Sequence, residues 1–170
     1  MPHVNVEIKA RCSYHNALRT ILKSKNASFR GTDHQVDTYF NVPFGRLKLR
    51  EGTIENCLIY YGRENKPGPK ESRVILLETE PPSPLKEILA RALGVMVVVD
   101  KQREIYFHDN VKFHLDTVKS LGKFVEIEAI DTDGTIGKEK LLELCQYFVL
   151  LFKIPHNDLV SGSYSDLLLS

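Results

Sequence analysis

The sequence predicts a single α+β domain over residues 1–170, built from about eight mostly antiparallel strands and three amphipathic helices. Three observations lead there. Apolar and polar residues alternate with period two along most of the chain, as in half-buried strands. Three segments instead repeat apolar residues at helical spacing on one stripe each, and each stripe needs a surface to lie on. The connections are short, which favours antiparallel neighbours. At 170 residues the chain can bury one sizeable core but not two comfortable ones.

The first strand is "VNVEIKAR" (4–11), where Val4, Val6, Ile8 and Ala10 oppose Asn5, Glu7, Lys9 and Arg11. A helix follows, with Tyr14, Ala17, Leu18, Ile21 and Leu22 on one face and Ser13 placed to cap it. "VDTYFNV" (36–42) and "RLKLRE" (46–51) are the next strands, and "EGTIEN" is a Gly-bearing turn into "CLIYYGR" (57–63). The Pro-Gly-Pro core of "ENKPGPKES" makes a loop, after which "RVILLETE" is a strand ended by Pro81-Pro82. Leu85, Ile88, Leu89, Ala92 and Leu93 predict a second helix, with Pro84 at its start and Gly94 at its end. Three more strands, 95–107, 111–118 and 123–130, are joined by "HDN" and "KSLG". A third helix is predicted from about Thr135 to Phe152, stopped by Pro155, and "SYSDLLLS" is either a short closing helix or a frayed tail.

A hydrophobic fraction of 42%, a charged fraction of 26% and a net charge of +1 belong to an ordinary globular protein. That balance offers bulk electrostatics no nucleic-acid or membrane partner, so functional charge has to be gathered locally by the fold. Cys12, Cys57 and Cys145 are scattered and lack C-x-x-C spacing, which predicts reduced thiols in a cytoplasmic setting rather than disulfides or a zinc site. No apolar run reaches transmembrane length and no signal-peptide core precedes Glu7.

The charged faces of the strands carry the functional question. Lys112, His114 and Asp116 share one face of "VKFHLDTV", Glu126 and Glu128 share one face of "KFVEIEAI", and Arg46, Lys48 and Arg50 make a wholly basic face. On one reading these are wet faces of half-buried strands, neutralised by weak surface ion pairs. On another they line a binding wall. Carboxylates at i and i+2 stand roughly 7 Å apart and repel unless a cation or water lies between them. Hard divalent cations seek such oxygen-rich sites, and arginine grips phosphate through two nitrogens. Acids for a metal beside bases for phosphate fit a metal–polyphosphate ligand.

"VEIKAR" resembles the E-x-E-x-K motif of the CYTH superfamily, the triphosphate tunnel metalloenzymes, which includes class IV adenylate cyclases and thiamine triphosphatases. The likeness is collinear over nearly the whole chain. "DTYF" with "GRLKLRE", "LIYYGR" with "GPKES", and "KQREIYF", "VKFHLD" and "LGKFVEIEA" are similar to the family's later strands. The resemblance implies a closed antiparallel eight-stranded β-barrel clad by helices, its lumen a charged tunnel. By the same resemblance Glu7, Asp116 and Glu126 hold Mg²⁺ or Mn²⁺, with Glu128 as helper. Lys9, Lys48, Arg50 and Arg103 grip phosphate, joined by Lys101, Lys70 and Arg73; Glu7, Lys9 and Glu126 are the catalytic set. Two departures are that Asn5 replaces the motif's first glutamate and that Tyr61 stands where several relatives carry lysine, with Arg63 nearby.

The expected partner is a small-molecule triphosphate, with no nucleic acid and no membrane, and the protein itself is expected to be a monomer or homodimer. The leading expectation is metal-dependent hydrolysis of tripolyphosphate, thiamine triphosphate or a nucleoside triphosphate. The alternatives are cyclisation of ATP to cyclic AMP with release of pyrophosphate, and a polyphosphate- or nucleotide-binding module without turnover.

Overall fold

The computed structural model describes residues 3–170. Eight strands form the chain's frame: β1 His3–Arg11, β2 Ser28–Phe40, β3 Arg46–Gly52, β4 Asn56–Arg63, β5 Lys70–Glu78, β6 Val95–His108, β7 Val111–Val118 and β8 Gly122–Asp131. Four α-helices accompany them: α1 His15–Ser24, α2 Leu85–Leu93, α3 Lys138–Leu151 and α4 Tyr164–Leu169, with a 3₁₀ turn at His156–Asp158. The strands close into an antiparallel barrel in the order β1-β5-β4-β3-β2-β6-β7-β8. Closure leaves no unpaired edge, and the period-two alternation becomes an inside and an outside.

The main core lies outside the barrel, between its wall and two helices. Val6, Ile8 and Ala10 of β1, Phe113 and Leu115 of β7, and Val125, Ile127 and Ala129 of β8 meet Leu18 and Leu22 of α1, Leu141, Cys145 and Phe148 of α3, and Phe152 just past its end. Each large side chain buried there contributes about 1.5–3 kcal/mol. Phe113 meets Phe148 edge-on at 4.7 Å, which fixes the seat of α3. α2 buries none of its residues and lies against β2. It ends where expected, because Gly94 takes φ 79° while donating its N–H to the Ala90 carbonyl.

Several elements differ from the sequence reading. β2 starts at Ser28, well before the apolar run at 36, because β6 is long enough to pair with all of it. β5 starts at Lys70, taking in residues assigned to the Pro-Gly-Pro loop. α1 is preceded by Tyr14 without a side-chain cap, so Ser13 does not cap it. α3 starts at Lys138, since Gly137 at φ 88° lies just before it. The C-terminal "SYSDLLL" is a helix with a reciprocal capping box between Ser163 and Asp166, and Arg46 holds Asp166 at 2.7 Å. All three cysteines are free and buried. Among the described residues, no helix is long and apolar enough to cross a membrane.

Candidate active site in the barrel lumen

The face that alternation turns away from the helices turns inward. Asn5, Glu7 and Lys9 of β1, Lys48 and Arg50 of β3, Lys101 and Arg103 of β6, Lys112 and His114 of β7, and Glu126 and Glu128 of β8 line one cavity of about 430 Å³. α4 occupies one end of that chamber: Ser163 and Tyr164 line it, and the Lys9 ammonium sits 3.7 Å above the Tyr164 ring. Asn5 and Lys9 are almost wholly buried, so the charged face of β1 meets the lumen and not bulk water.

The lumen charges form linked ion pairs. Asp37 takes both forks of Arg50 at 2.9 Å, Lys101 at 2.7 Å and Lys48 at 3.5 Å. Glu126 accepts from Lys9 at 3.0 Å, from His114 Nδ1 at 3.0 Å and from Arg103 at 3.4 Å. Arg103 also clamps Asp116 through two bonds of 2.8 and 2.7 Å, and the Tyr164 hydroxyl donates to the same carboxylate at 2.6 Å. Glu55, from the β3–β4 turn, accepts from Lys112 at 2.5 Å and Arg50 at 3.4 Å. Arg63 pairs with Glu7, and the Asn5 amide donates to Glu128.

Burial inside closed walls moves these groups. It opposes ionisation of Asp37, but Arg50, Lys101 and Lys48 outweigh it and hold the carboxylate well below its ordinary value. Lys101 shares that one counter-charge with two other cations, and burial pushes it down to about 7 despite Asp37. Glu128 is pushed up to about 7 by burial, with Glu7 and Glu126 adding to the rise and Lys112 opposing it. His114 is pushed down to about 4 by burial, then by Arg103, so its imidazole is neutral at physiological pH. A neutral ring whose Nδ1 donates to Glu126 presents a bare lone pair at Nε2, a tautomer assigned from that bond.

Buried polar atoms without partners show what the site lacks. The Asn5 Oδ1 and His114 Nε2 lone pairs are unmatched, and so are the Arg63 Nε and Nη2 donors. Unmatched oxygen and nitrogen lone pairs beside Glu7, Glu126 and Glu128 fit a divalent cation; unmatched guanidinium donors fit an anion. His114, Asp116 and Glu126 bring ligand atoms within 4.8 Å of one another. Within that trio, Asp116 shares the lumen face of β7 but is fully buried, is already engaged by Arg103 and Tyr164, and is not among the residues that line the cavity. Glu126 and Glu128 do line it.

The structure gathers Glu7, Lys9, Lys48, Arg50, Lys101, Arg103, Glu126 and Glu128 around the one cavity. It does not bring the rest there. Lys70 is buried, but it points at the barrel's C-terminal end, donating to the Val160 and Ser161 carbonyls at 3.1 Å. Arg73 faces outward, its side chain 83% exposed and beside Glu71. Glu55, Lys112, Asp37 and Arg63 enter the network without having been assigned a role. Arg63 follows from the alternation of "CLIYYGR", whereas Glu55 sits in a turn, where no periodicity marks its direction.

A closed antiparallel barrel with cations, carboxylates and unmatched donors and acceptors in its lumen defines a class of charged-tunnel proteins. Residues 3–155 match the CYTH domain family, and the chain belongs to it. A Methanocaldococcus jannaschii protein named as a candidate adenylate cyclase is 26% identical over 96% of this chain and 98% of its own. The PH1012 protein structure from Pyrococcus horikoshii superposes with a TM-score of 0.82 at 26% identity, covering 96% of this chain and 98% of that one. A Hippeastrum protein, described as a candidate adenylyl cyclase with dominant triphosphatase activity, shares the fold at TM-score 0.62 and 14% identity, over 98% and 94% of the two chains.

Proposed function

We propose that this protein is a divalent-metal-dependent enzyme that hydrolyses a triphosphate in the barrel lumen. One observation carries the reading: seven lysines and arginines and the glutamates Glu7, Glu126 and Glu128 line a single lumen cavity in which Arg63 donors and the Asn5 and His114 lone pairs lack partners. Lys9, Lys48, Arg50, Arg63 and Arg103 grip and align the phosphates for in-line attack, and the low-dielectric wall strengthens each contact. Glu7, Glu126 and Glu128 would hold Mg²⁺ or Mn²⁺, with His114 Nε2 and Asn5 Oδ1 as further donors. When bound, the metal neutralises charge on phosphate oxygens and lowers the pKa of a coordinated water. The Hippeastrum protein's dominant triphosphatase activity supports hydrolysis by analogy of fold.

Cyclisation of ATP is the second reading, favoured by the cyclase name of the M. jannaschii relative. Incubation of the purified protein with tripolyphosphate, thiamine triphosphate and ATP under Mg²⁺ or Mn²⁺ separates the two. Release of orthophosphate is expected; cyclic AMP with pyrophosphate would replace hydrolysis by cyclisation. Tight binding without any turnover would reduce the protein to a binding module.

A further inference from the structure

Glu55 enters the lumen from the turn between β3 and β4, whereas Glu7, Glu126 and Glu128 stand on strands. That turn is fastened from behind. Asp33 of β2, fully buried, accepts from the Thr53 hydroxyl, the Ile54 N–H and the Glu55 N–H, each at 2.9 Å. Gly52 makes room for it, since a Cβ there would stand 2.8 Å from Asp33 Oδ1. The backbone under Glu55 is therefore fixed. Its side chain reaches Lys112 at 2.5 Å and Arg50 at 3.4 Å, and the Gln35 amide donates to it at 3.0 Å. Burial opposes its ionisation, but Lys112 and Arg50 outweigh that and hold the carboxylate below its ordinary value.

Asp37 and Asp116 show what a permanent counter-ion looks like in this barrel. Both are buried, and each is held by two nitrogens of one guanidinium, so neither could leave without stranding a charge. Glu55 differs in each respect. Its side chain keeps 26% exposure, it follows the exposed Ile54 in a turn, and it meets Lys112 and Arg50 by single contacts. Rotation about its side-chain bonds would return the carboxylate to water while Asp33 keeps the turn in place. The Lys112 ammonium and the Arg50 Nη1, which Asp37 leaves free, would then face the cavity together. An ammonium beside a guanidinium N–H suits a phosphate group.

We propose that Lys112 and the Arg50 Nη1 form a phosphate seat in the lumen and that Glu55 is its tethered occupant, which an incoming phosphate displaces. This rests on the preceding reading of the lumen as a triphosphate site. It gives Lys112 a binding role and makes Glu55 a brake on that seat. A tethered carboxylate competes at high effective concentration, so a single phosphate group does not hold the seat for long. A chain of phosphates anchored elsewhere by Lys9, Arg63 and Arg103 does.

The test compares dissociation constants for tripolyphosphate at equal Mg²⁺ in the wild type, Glu55→Gln, Glu55→Ala, Lys112→Met and the Glu55→Gln/Lys112→Met double variant. Both Glu55 variants are expected to bind about fivefold or more tighter than the wild type, because the seat is vacated. In the Lys112→Met background, Glu55→Gln should change affinity less than about twofold, because the seat has already gone. The cycle separates a seat from the mere loss of one negative charge, which would help an anion equally in either background. Unchanged or weaker binding in either folded Glu55 variant, or an equal gain with and without Lys112, would overturn the inference while leaving the triphosphate site standing. Failure of all five proteins to bind tripolyphosphate would overturn both.

Discussion

Glu126 gathers Lys9, Arg103 and the His114 imidazole around one carboxylate, and those contacts hold it well below its ordinary pKa against the effect of burial. Replacing it by alanine would strand a buried lysine, so the informative change is Glu126→Gln, which keeps the shape and removes the charge. Metal-dependent phosphate release is expected to fall about 100-fold or more, with a stability loss of about 1–3 kcal/mol by urea unfolding. Wild-type turnover in this variant would remove Glu126 from the metal set. Glu128 behaves oppositely. Its folded pKa of about 7 lies above the unfolded value, so its contribution to stability is fully present below about pH 4.5 and is lost as pH rises through 7. The effect is at most ~3 kcal/mol, less what lumen water screens. Metal-free Glu128→Gln should lack that part of the decline between pH 5 and 8, and a slope equal to wild type in chemical denaturation would rule it out. Alternation set Glu7, Lys9, Lys48, Arg50, Glu126 and Glu128 on faces opposite the apolar ones, and it was the family resemblance that made those faces a lumen. It could not show that Asp116, on the lumen side, has both oxygens taken by Arg103 and Tyr164, because those partners come from β6 and α4. Lys70 and Arg73 were open to a simpler objection: three residues apart on one strand, they cannot face the same side.

α4 is held to the barrel by distant contacts, Arg46 to Asp166 and the Tyr164 hydroxyl to Asp116 among them, and by the segment that leads into it. Lys70 donates to Val160 and Ser161 just before the helix and to Lys66 in the β4–β5 loop, tying the C-terminal segment to the barrel end. Burial pushes this ammonium down to about 8, so the tie weakens in mild alkali. Lys70→Met should destabilise the fold by about 1–3 kcal/mol, because buried carbonyls lose their donor. It should also raise amide exchange across 164–169 well above that of β8, measured by hydrogen–deuterium exchange at pH 7. Protection of α4 equal to wild type would show that Tyr164 and the Ser163–Asp166 box suffice to hold it. At this scale the sequence was readable wherever periodicity and punctuation agreed, as in β7, whose bounds Val111–Val118 match expectation, and in α2 between Pro84 and Gly94. The misreadings at the starts of β2 and β5 have a common cause. Residues 28–35 and 70–72 are polar on the face that enters the lumen, and their strand character comes from pairing with β6 and β1, which no local pattern reveals.

Across the whole molecule the net charge is only +1, yet the lumen concentrates Lys9, Lys48, Arg50, Arg63, Lys101, Arg103 and Lys112 against Glu7, Glu55, Glu78, Glu126 and Glu128. Asp37 and Asp116, paired with these cations just behind the lining, cancel its surplus of two positive charges, so the lumen cannot by itself balance three phosphates, whose terminal group alone carries roughly −1.5 to −2. A divalent cation supplies the missing charge and relieves the repulsion among Glu7, Glu126 and Glu128, so metal and triphosphate should each raise the other's affinity. Binding to the folded state alone adds about 2.7 kcal/mol when ligand stands at 100 times its dissociation constant. In a domain of this size that is a rise of roughly 5–10 °C in melting temperature. Thermal melts with ATP and Mg²⁺ together are expected to show a shift of that order, with less than half of it after chelation by EDTA or with Mg²⁺ alone. Equal shifts with and without chelator would mean that the basic wall binds phosphate unaided and that the lumen carboxylates serve only to neutralise it.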